Sequence, residues 1–242
     1  LYTRHLKFNA AEPDWWDRDR VVLSNGHGSM LLYALNHLTG YERIGLEQVK
    51  TFRDMGSHCA GHPEFDIAAG IEVTTGPLGQ GIANALGMAV AEAFLNARFG
   101  DGLINHRTWA FVGDGCLQEG VGQEAIALAG HLRLGKLIVL YDDNHIQLDG
   151  PTAMAWSEDV PARFDAYGWH TQRVGDGNDV EAIAAAIELA REDDRPSLIA
   201  VRTHIGFGSP NKQDSQKSHG APLGPDEVRL TKEAYGWDPD RT

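Results

Sequence analysis

The feature that most constrains the fold is a regular alternation of short apolar runs with longer helical stretches in the second half of the chain. The apolar runs, which are typical of buried strands, lie at 108–112, 137–141, 169–174 and 197–202, and the helical stretches between them lie at 119–134, 158–167 and 178–193. Such alternation produces parallel strands, because each helix carries the chain back to the same end of the sheet. The sequence therefore predicts an α/β fold, a doubly wound, mostly parallel sheet with helices on both faces.

The first half of the chain adds one strand, several helices and the first of two candidate binding loops. A short strand is predicted at 21–23, and helices are predicted at 29–38, 46–55 and 80–99. We interpret residues 1–9 as the tail of a helix and residues 226–235 as the start of one. Segments 56–81 and 207–225 are rich in Gly and Pro but also carry ionisable residues, which favours binding loops over linkers.

Composition excludes several classes of protein. The chain has 242 residues, of which 42% are hydrophobic, enough for one large domain with a substantial core. It carries 21 basic and 34 acidic residues, and a net charge of −13 disfavours binding to nucleic acid or anionic membranes. No apolar run approaches the roughly 20 residues of a membrane span, and residues 1–4 do not match a signal peptide. The two cysteines, Cys59 and Cys116, form neither a metal-binding cluster nor a disulfide framework, which indicates a reducing cytoplasm.

An acidic residue and an amide follow two consecutive strands of the predicted sheet. Asp114 follows the strand at 108–112, and Asn144 follows the strand at 137–141. Open α/β sheets bind ligands at the carboxyl ends of their strands, and Mg²⁺ prefers oxygen ligands that it shares with phosphate groups. Gly115 would allow close approach of a phosphate, and the helix predicted from Glu119 would point N–H groups at it. On these residues alone, a metal–diphosphate site and an ordinary helix cap with a turn asparagine remain equally open.

These residues belong to a longer series of motifs that resembles the N-terminal, diphosphate-binding domain of the transketolase family. A Gly-Asp-Gly motif is shared by many thiamine diphosphate enzymes, whereas the whole series, in this order, is specific to transketolases and their closest relatives. The matching motifs are Leu23-Ser24-Asn25-Gly26-His27, Gly61-His62-Pro63-Glu64, Thr74-Thr75-Gly76-Pro77-Leu78-Gly79-Gln80-Gly81, the stretch from Gly113 to Gly120, Asp142-Asp143-Asn144-His145-Ile146 and His219-Gly220-Ala221-Pro222-Leu223.

The resemblance implies a site for thiamine diphosphate and a divalent metal, either Mg²⁺ or Ca²⁺. The metal ligands would be the side chains of Asp114 and Asn144 and the backbone carbonyl of Ile146. Asp142 would support Asn144, and Gly115 would donate its N–H to the diphosphate. The full set of implied cofactor contacts is His27, Gly76, Pro77, Leu78, Gly115, Glu119, Asp142, Asn144, Ile205 and His219.

Among the 11 histidines, three lie in Gly-containing loops, where they can reach a ligand. The resemblance implies that His62 contacts the substrate near its carbonyl and C1 hydroxyl, and that His27 and His219 lie near the diphosphate and the reacting carbon. A neutral imidazole can exchange protons with substrate oxygens close to working pH. Each histidine considered singly could equally be a capping residue.

Two glutamates near the start of the predicted helix 119–134 are similar to buried acids of the family. Glu119 would also be catalytic, as part of a proton network that links the two active sites of a dimer. A glutamate at a helix N-terminus is also simply favourable for the helix dipole. Glu124 would be the second buried acid.

The resemblance implies the transfer of a two-carbon ketol unit from a ketose phosphate to an aldose phosphate in the pentose phosphate pathway. We interpret residues 1–242 as a single diphosphate-binding domain without the family's first segment, pyrimidine-binding domain and C-terminal domain. His5 does not match the substrate-contacting histidine of that first segment. The glutamate that activates the aminopyrimidine belongs to the pyrimidine-binding domain, normally of a second subunit, so we expect a homodimer or split heteromer and no activity from this chain alone.

Three other functions compete with this interpretation. Dihydroxyacetone synthase and 1-deoxyxylulose-5-phosphate synthase use the same cofactor, although the loop histidines His62 and His219 favour transketolase over the latter. A non-catalytic domain that retains the fold is the second alternative, and the combination of metal ligands and loop histidines argues against it. A P-loop nucleotide site is excluded because the chain has no Gly-x-x-x-x-Gly-Lys-Ser/Thr motif.

Overall fold

The computed structural model describes residues 1–241 and contains a five-stranded parallel sheet with the strand order β1-β2-β3-β7-β6. The strands of this sheet are β1 (Arg20–Leu23), β2 (Thr108–Gly113), β3 (Leu137–Asp143), β6 (His170–Val174) and β7 (Ser197–Arg202). A small antiparallel ribbon, which the sequence did not predict, is formed by β4 (Ile146–Gln147) and β5 (Gly150–Pro151). Within the described residues, no helix is both long enough and apolar enough to cross a bilayer.

Helices cover both faces of the sheet, as predicted. They are α1 (Ser29–Thr39), α2 (Leu46–Lys50), α3 (Gln80–Phe99), α4 (Asp114–Gln118), α5 (Gly120–His131), α6 (Val160–Ala166), α7 (Val180–Glu192) and α8 (Pro225–Ala234). Successive strand residues alternate between the two cores because side chains on a strand point to opposite faces. In β2, for example, Ala110 packs with α3, α5 and α6, whereas Trp109 packs with α7.

Several predicted boundaries differ from the structure. The predicted helix 119–134 is two helices, since α4 already begins at Asp114 and the chain turns extended at Glu119 before α5. The predicted helix 46–55 ends at Lys50, and the left-handed backbone of Arg53, with φ 70°, is incompatible with its continuation. Residues 2–5 form a turn and residues 6–9 are irregular, so this segment is not a helix tail, and Leu1, Tyr2 and Leu6 pack against the α7 side of the sheet.

His106 lies two residues before β2, at the end of the sheet opposite the predicted ligand site. The residue is buried, and burial lowers the pKa of its imidazole from 6.5 to about 4, with the nearby charge of Arg20 as the next cause and Asp17 acting in the opposite direction. The folded state therefore resists protonation of this ring over a pH range in which the unfolded chain accepts the proton.

We expect the free energy of unfolding to fall as the pH decreases from about 6.5 to 4, because the unfolded state binds the additional proton in this window. The substitution His106→Gln removes this contribution. The slope of the free energy of unfolding against pH should therefore decrease by up to about 1.4 kcal/mol per pH unit. Urea unfolding of both proteins at several pH values measures the difference, with the exposed His131→Gln as the control. An unchanged slope in His106→Gln would show that His106 does not resist protonation.

Candidate active site

The parallel pairing of β2 and β3 brings the two sequence motifs together at the carboxyl edge of the sheet. Gly113 lies opposite Asp142 in this pairing. Asp114 follows as the first residue of α4, is 5% exposed, and accepts a hydrogen bond from the Tyr141 hydroxyl. Burial raises the pKa of Asp114 to about 6; the bond from Tyr141 opposes this rise, and the charges of Asp143 and Asp142 add to it. A cation at this edge would therefore stabilise the ionised carboxylate.

Asn144 and Ile146 are held in a tight turn after β3. The Asn144 Oδ1 atom accepts a hydrogen bond of 2.8 Å from the Ile146 N–H, and its Nδ2 donates one of 3.2 Å to Asp142. Between them, His145 adopts a left-handed backbone with φ 64°, and the chain bends here. Asp142 also accepts a hydrogen bond from the Thr203 hydroxyl, which fixes the carboxylate that orients Asn144.

A cavity of about 150 Å³ separates the β2 and β3 ends from the loops that face them. It is lined by Asn25, His27, Leu78, Gly113, Asp114, Gly115, Cys116, Asp142, Asn144, Ile146, Gln147, Leu148 and His219. Three polar atoms of these lining residues, Asn25 Oδ1, Gln147 Nε2 and His219 Nδ1, are buried and have no hydrogen-bond partner within the described chain. Buried polar groups are normally paired, so the cavity is suited to a ligand that carries both donors and acceptors.

A wider cavity of about 760 Å³ continues from the first. The two cavities share His27, Leu78, Leu148 and His219. The wider one is additionally lined by Met30, Phe52, Arg53, Gly76, Ser218, Gly220, Ala221 and Pro222. The site therefore has a small end at the sheet, which the acidic and amide side chains line, and a larger end towards the loops.

His27 and His219 stack on each other where the two cavities meet. Their ring centroids are 4.9 Å apart and the rings are inclined by 17°. Desolvation lowers the pKa of His27, and the neighbouring His219 and His62 lower it further. Desolvation also lowers the pKa of His219, although Asp142 opposes this shift. Both rings are therefore neutral at neutral pH and can donate or accept a proton.

His62 approaches the same region from the loop before α3. Its ring lies against Gly76, where a Cβ atom would come within 3.3 Å of the His62 Cγ. Like His27, the residue is exposed, so its ring is accessible to a ligand that enters from the loop side, although His62 itself lines neither cavity. The structure thus gathers three histidines from distant parts of the chain around one entrance.

Most of the predicted site residues come together, but some do not. The residues that line one of the two cavities are His27, Gly76, Leu78, Asp114, Gly115, Asp142, Asn144, Ile146 and His219. Pro77 is exposed beside this wall, and Ile205 is half-buried after β7 without lining either cavity. Their roles in cofactor binding stay predictions.

Glu119 and Glu124 are both exposed on this chain, which differs from the expected buried acids. The reason is that Glu119 lies in the extended junction before α5 and Glu124 on the outer surface of that helix. Burial of either carboxylate would require another polypeptide to cover this surface.

The structure also adds residues that sequence reasoning missed. Tyr141 and Thr203 hold the carboxylates of Asp114 and Asp142, although both look like ordinary strand residues in the sequence. Leu148 lines both cavities from the β4–β5 ribbon. The Asp149-Gly150 pair that follows it is a typical hairpin signal and could have revealed this ribbon.

Comparison with known proteins identifies the family. The family model described as "Transketolase, thiamine diphosphate binding domain" matches residues 1–242. The chain belongs to this family. The transketolase of Halalkalibacterium halodurans is 58% identical over 240 residues, and the match covers 98% of this chain but 36% of that protein.

Two solved transketolases have the same fold. The structure from Leishmania mexicana is 48% identical, with a TM-score of 0.97, and the match covers 100% of this chain and 37% of that one. A transketolase complex with sedoheptulose-7-phosphate from Pichia stipitis is 47% identical, with a TM-score of 0.94, and the match covers 98% of this chain and 36% of that one. The chain therefore spans little more than a third of the length of the transketolases that it matches.

The close contact between two loops of this transketolase domain depends on Gly26. A Cβ atom on Gly26 would lie 2.5 Å from Thr75 Oγ1 and 2.9 Å from the Gly76 backbone nitrogen. Gly28, two positions later, has nothing closer than the Asn25 Nδ2 atom at 4.0 Å. The first position therefore tolerates no side chain, whereas the second does.

We expect Gly26→Ala to lower the free energy of unfolding by about 1–3 kcal/mol, because the loops carrying His27 and Gly76 have to move apart. Gly28→Ala is the matched control and should change stability by well under half of that amount. Denaturant unfolding of the two variants tests this contact. Equal stability of both variants would contradict the assigned packing of the loops.

Proposed function

We propose that this chain supplies the diphosphate- and metal-binding half of the active site of a thiamine diphosphate-dependent ketol transferase. The observation that carries the proposal is the convergence of Asp114, Asn144 and Ile146 on one small cavity, beside three buried polar atoms that have no hydrogen-bond partner among the described residues. Membership of the transketolase thiamine diphosphate binding family supports the same chemistry.

The residues at the carboxyl edge suit a hard divalent metal such as Mg²⁺ or Ca²⁺. Asp114 contributes a carboxylate, Asn144 an amide oxygen and Ile146 a backbone carbonyl, and cations of this kind prefer oxygen ligands. Burial raises the pKa of Asp114, the charges of Asp143 and Asp142 add to this rise, and a bound cation would offset both effects. Within residues 1–241, no three His, Cys, Asp or Glu side chains are grouped so that they could hold a metal, and the proposed set contains one carboxylate ligand.

The shape of the two cavities suits thiamine diphosphate. The small cavity would take the diphosphate, with Gly115 at the wall, where a Cβ atom would come within 2.7 Å of Leu78 Cδ1. The wider cavity would take the rings, against the Gly76 and Leu78 loop. When bound, this cofactor supplies a nucleophilic carbon that permits cleavage of the bond next to a ketone carbonyl.

The three histidines at the entrance would handle the substrate. His62 would contact the ketose near its carbonyl and C1 hydroxyl, while His27 and His219 would exchange protons with oxygens near the reacting carbon. A neutral imidazole is suited to proton exchange with substrate oxygens, since it has one donor and one acceptor nitrogen. Transketolase structures from Pichia stipitis were solved as complexes with sedoheptulose-7-phosphate and fructose-6-phosphate, which supports ketose phosphates as donors and the pentose phosphate pathway as the setting.

The other half of the active site would come from a second polypeptide region. The expected glutamate for the aminopyrimidine lies in a pyrimidine-binding domain, so we infer a homodimer or split heteromer in which that domain covers the open cavity. The exposure of Glu119 agrees with a role at such an interface, where it would join a proton network between two sites. The two buried cysteines, Cys59 and Cys116, are unpaired, which supports a reducing, cytoplasmic location.

Alternative thiamine enzymes and a non-catalytic role are less well supported. The similar proteins described above are transketolases, with identities between 47% and 58%. A purely structural domain would not need buried, unpaired polar atoms at a cavity lined by metal-type oxygen ligands. Dihydroxyacetone synthase would use the same half-site, and the acceptor profile of the complete enzyme distinguishes it.

Asp114→Asn should weaken Mg²⁺-dependent binding of thiamine diphosphate by at least about tenfold, because the charged ligand is lost while the side-chain volume is kept. Isothermal titration of the complete enzyme with the cofactor, at fixed Mg²⁺, measures the change. Asp149→Asn is the matched control, since Asp149 is exposed at the ribbon turn near the same edge. Equal affinity of the two variants would remove Asp114 from the metal site.

The isolated chain of residues 1–242 should show no ketol transfer, whereas the complete enzyme should convert a ketose phosphate and an aldose phosphate. The reason is that this chain holds one side of the cavity and not the group that activates the aminopyrimidine. A coupled assay of both proteins, with cofactor and Mg²⁺, tests this difference. Turnover by the isolated chain would show that the half-site is catalytically complete.

A further inference from the structure

The loop that carries His62 is fastened to the helix that follows His27. The Ser29 hydroxyl donates a hydrogen bond of 2.9 Å to the carbonyl of Gly61, the residue before His62. One turn further along α1, the Tyr33 hydroxyl donates a bond of 2.9 Å to the carbonyl of Ala60. Both donors are fully buried, with an exposed fraction of 0%. Two consecutive carbonyls of this loop are therefore held by one helix face.

These bonds differ from ordinary helix caps because they join two distant parts of the chain. Ser29 is the first residue of α1 and lies two positions after His27, so its backbone moves with that histidine. The other side of the loop is tied by two backbone bonds, from the Arg53 N–H to the Cys59 carbonyl at 2.9 Å and from the Thr75 N–H to the Pro63 carbonyl at 3.1 Å. Cys59 itself is buried in the core beneath α1. The loop thus has little freedom to move relative to α1.

Neither Ser29 nor Tyr33 lines the two cavities, so their hydroxyls do not contact a ligand there. The bonds are nevertheless costly to lose, because both are part-buried and a carbonyl that loses its donor there pays part of the desolvation penalty of an unmade hydrogen bond. The loop would shift to find another partner or water. Such a shift displaces His62 relative to His27, and displacements of about 1 Å can change a rate by about 100-fold.

From this geometry we infer that Ser29 and Tyr33 are positioning residues, which set the placement of His62 relative to His27 and His219 during ketol transfer. The inference rests on the proposed function for its kinetic consequence, but the placement itself can be measured without activity. The residues act through His62, and this dependence distinguishes positioning from general stabilisation of the fold.

The kinetic test is a double-mutant cycle in the complete enzyme. Ser29→Ala should lower kcat by about tenfold or more, with thiamine diphosphate affinity unchanged within about twofold, because the bond lies outside the cofactor cavity. In a His62→Ala background, the same change should alter kcat by less than about twofold, since the positioned group is already gone. An equal loss in both backgrounds, or no loss of kcat, would overturn the inference.

A matched control separates positioning from folding. Ser197 is a buried serine, 0% exposed, whose hydroxyl donates to the Ala190 carbonyl at the opposite end of the sheet. Ser197→Ala should match Ser29→Ala in thermal stability but keep the parent kcat. If Ser29→Ala does not fold, Tyr33→Phe takes its place in the cycle, because it removes one hydroxyl and keeps the buried ring. A loss of kcat in Ser197→Ala as large as in Ser29→Ala would also contradict the inference.

A spectroscopic readout keeps the inference independent of the proposed reaction. The His62 ring signal, assigned by its loss in His62→Ala, should shift in Ser29→Ala or Tyr33→Phe and remain in place in Ser197→Ala. A His62 signal that is the same in all three variants would overturn the positioning role, even in an active enzyme. Absence of ketol transfer in the parent enzyme would instead overturn the proposed function and leave this measurement decisive for the placement of His62.

Discussion

The parallel pairing of β2 with β3 is the contact on which the candidate site depends. It sets Gly113 opposite Asp142, so Asp114 and Asn144 emerge at one edge although a whole helical segment separates them in the chain. Neighbouring hydroxyl groups then fix the two carboxylates, since Tyr141 donates a hydrogen bond to Asp114 and Thr203 donates one to Asp142. Burial and, to a smaller extent, the charges of Asp143 and Asp142 raise the pKa of Asp114, so ionisation of this carboxyl group is unfavourable in the chain by itself. A nearby cation stabilises ionised carboxyl groups in such an arrangement, whereas burial alone does not.

A second level of organisation concerns the histidines, which come from loops far apart in sequence. Stacking joins His27 with His219, and contact with Gly76 places His62 beside them. Buried hydroxyls on α1 tie the His62 loop to the segment that carries His27. The candidate site therefore combines an acidic edge built by strand pairing with a histidine-bearing entrance built by loop packing. The two depend on different interactions, so they can be perturbed separately.

The third feature of the site is its open side. Its relatives are transketolases of which it spans 36% to 37%, and the wide cavity, Glu119 and Glu124 are all accessible on this domain. Sequence reasoning predicted the two glutamates to be buried, and on this chain they are not. Burial of an acidic side chain depends on what packs over it, and for these positions that packing would have to come from another polypeptide region.

Local pattern was enough to determine the parallel α/β architecture, the complete span of α3 and the positions of Asp114 and Asn144 at strand ends, because periodicity and strand–helix alternation are local properties. The motifs also identified the family and its cofactor. Only the tertiary structure decided that α4 begins at Asp114, that Leu148 reaches the cavity from a small ribbon, and that Tyr141 and Thr203 hold the acidic groups. These features arise from contacts between residues distant in sequence, and a side chain on a strand carries no local sign of which neighbour it will meet. The same reason explains why Ser29 and Tyr33 look like ordinary helix residues until their partners at Gly61 and Ala60 are seen.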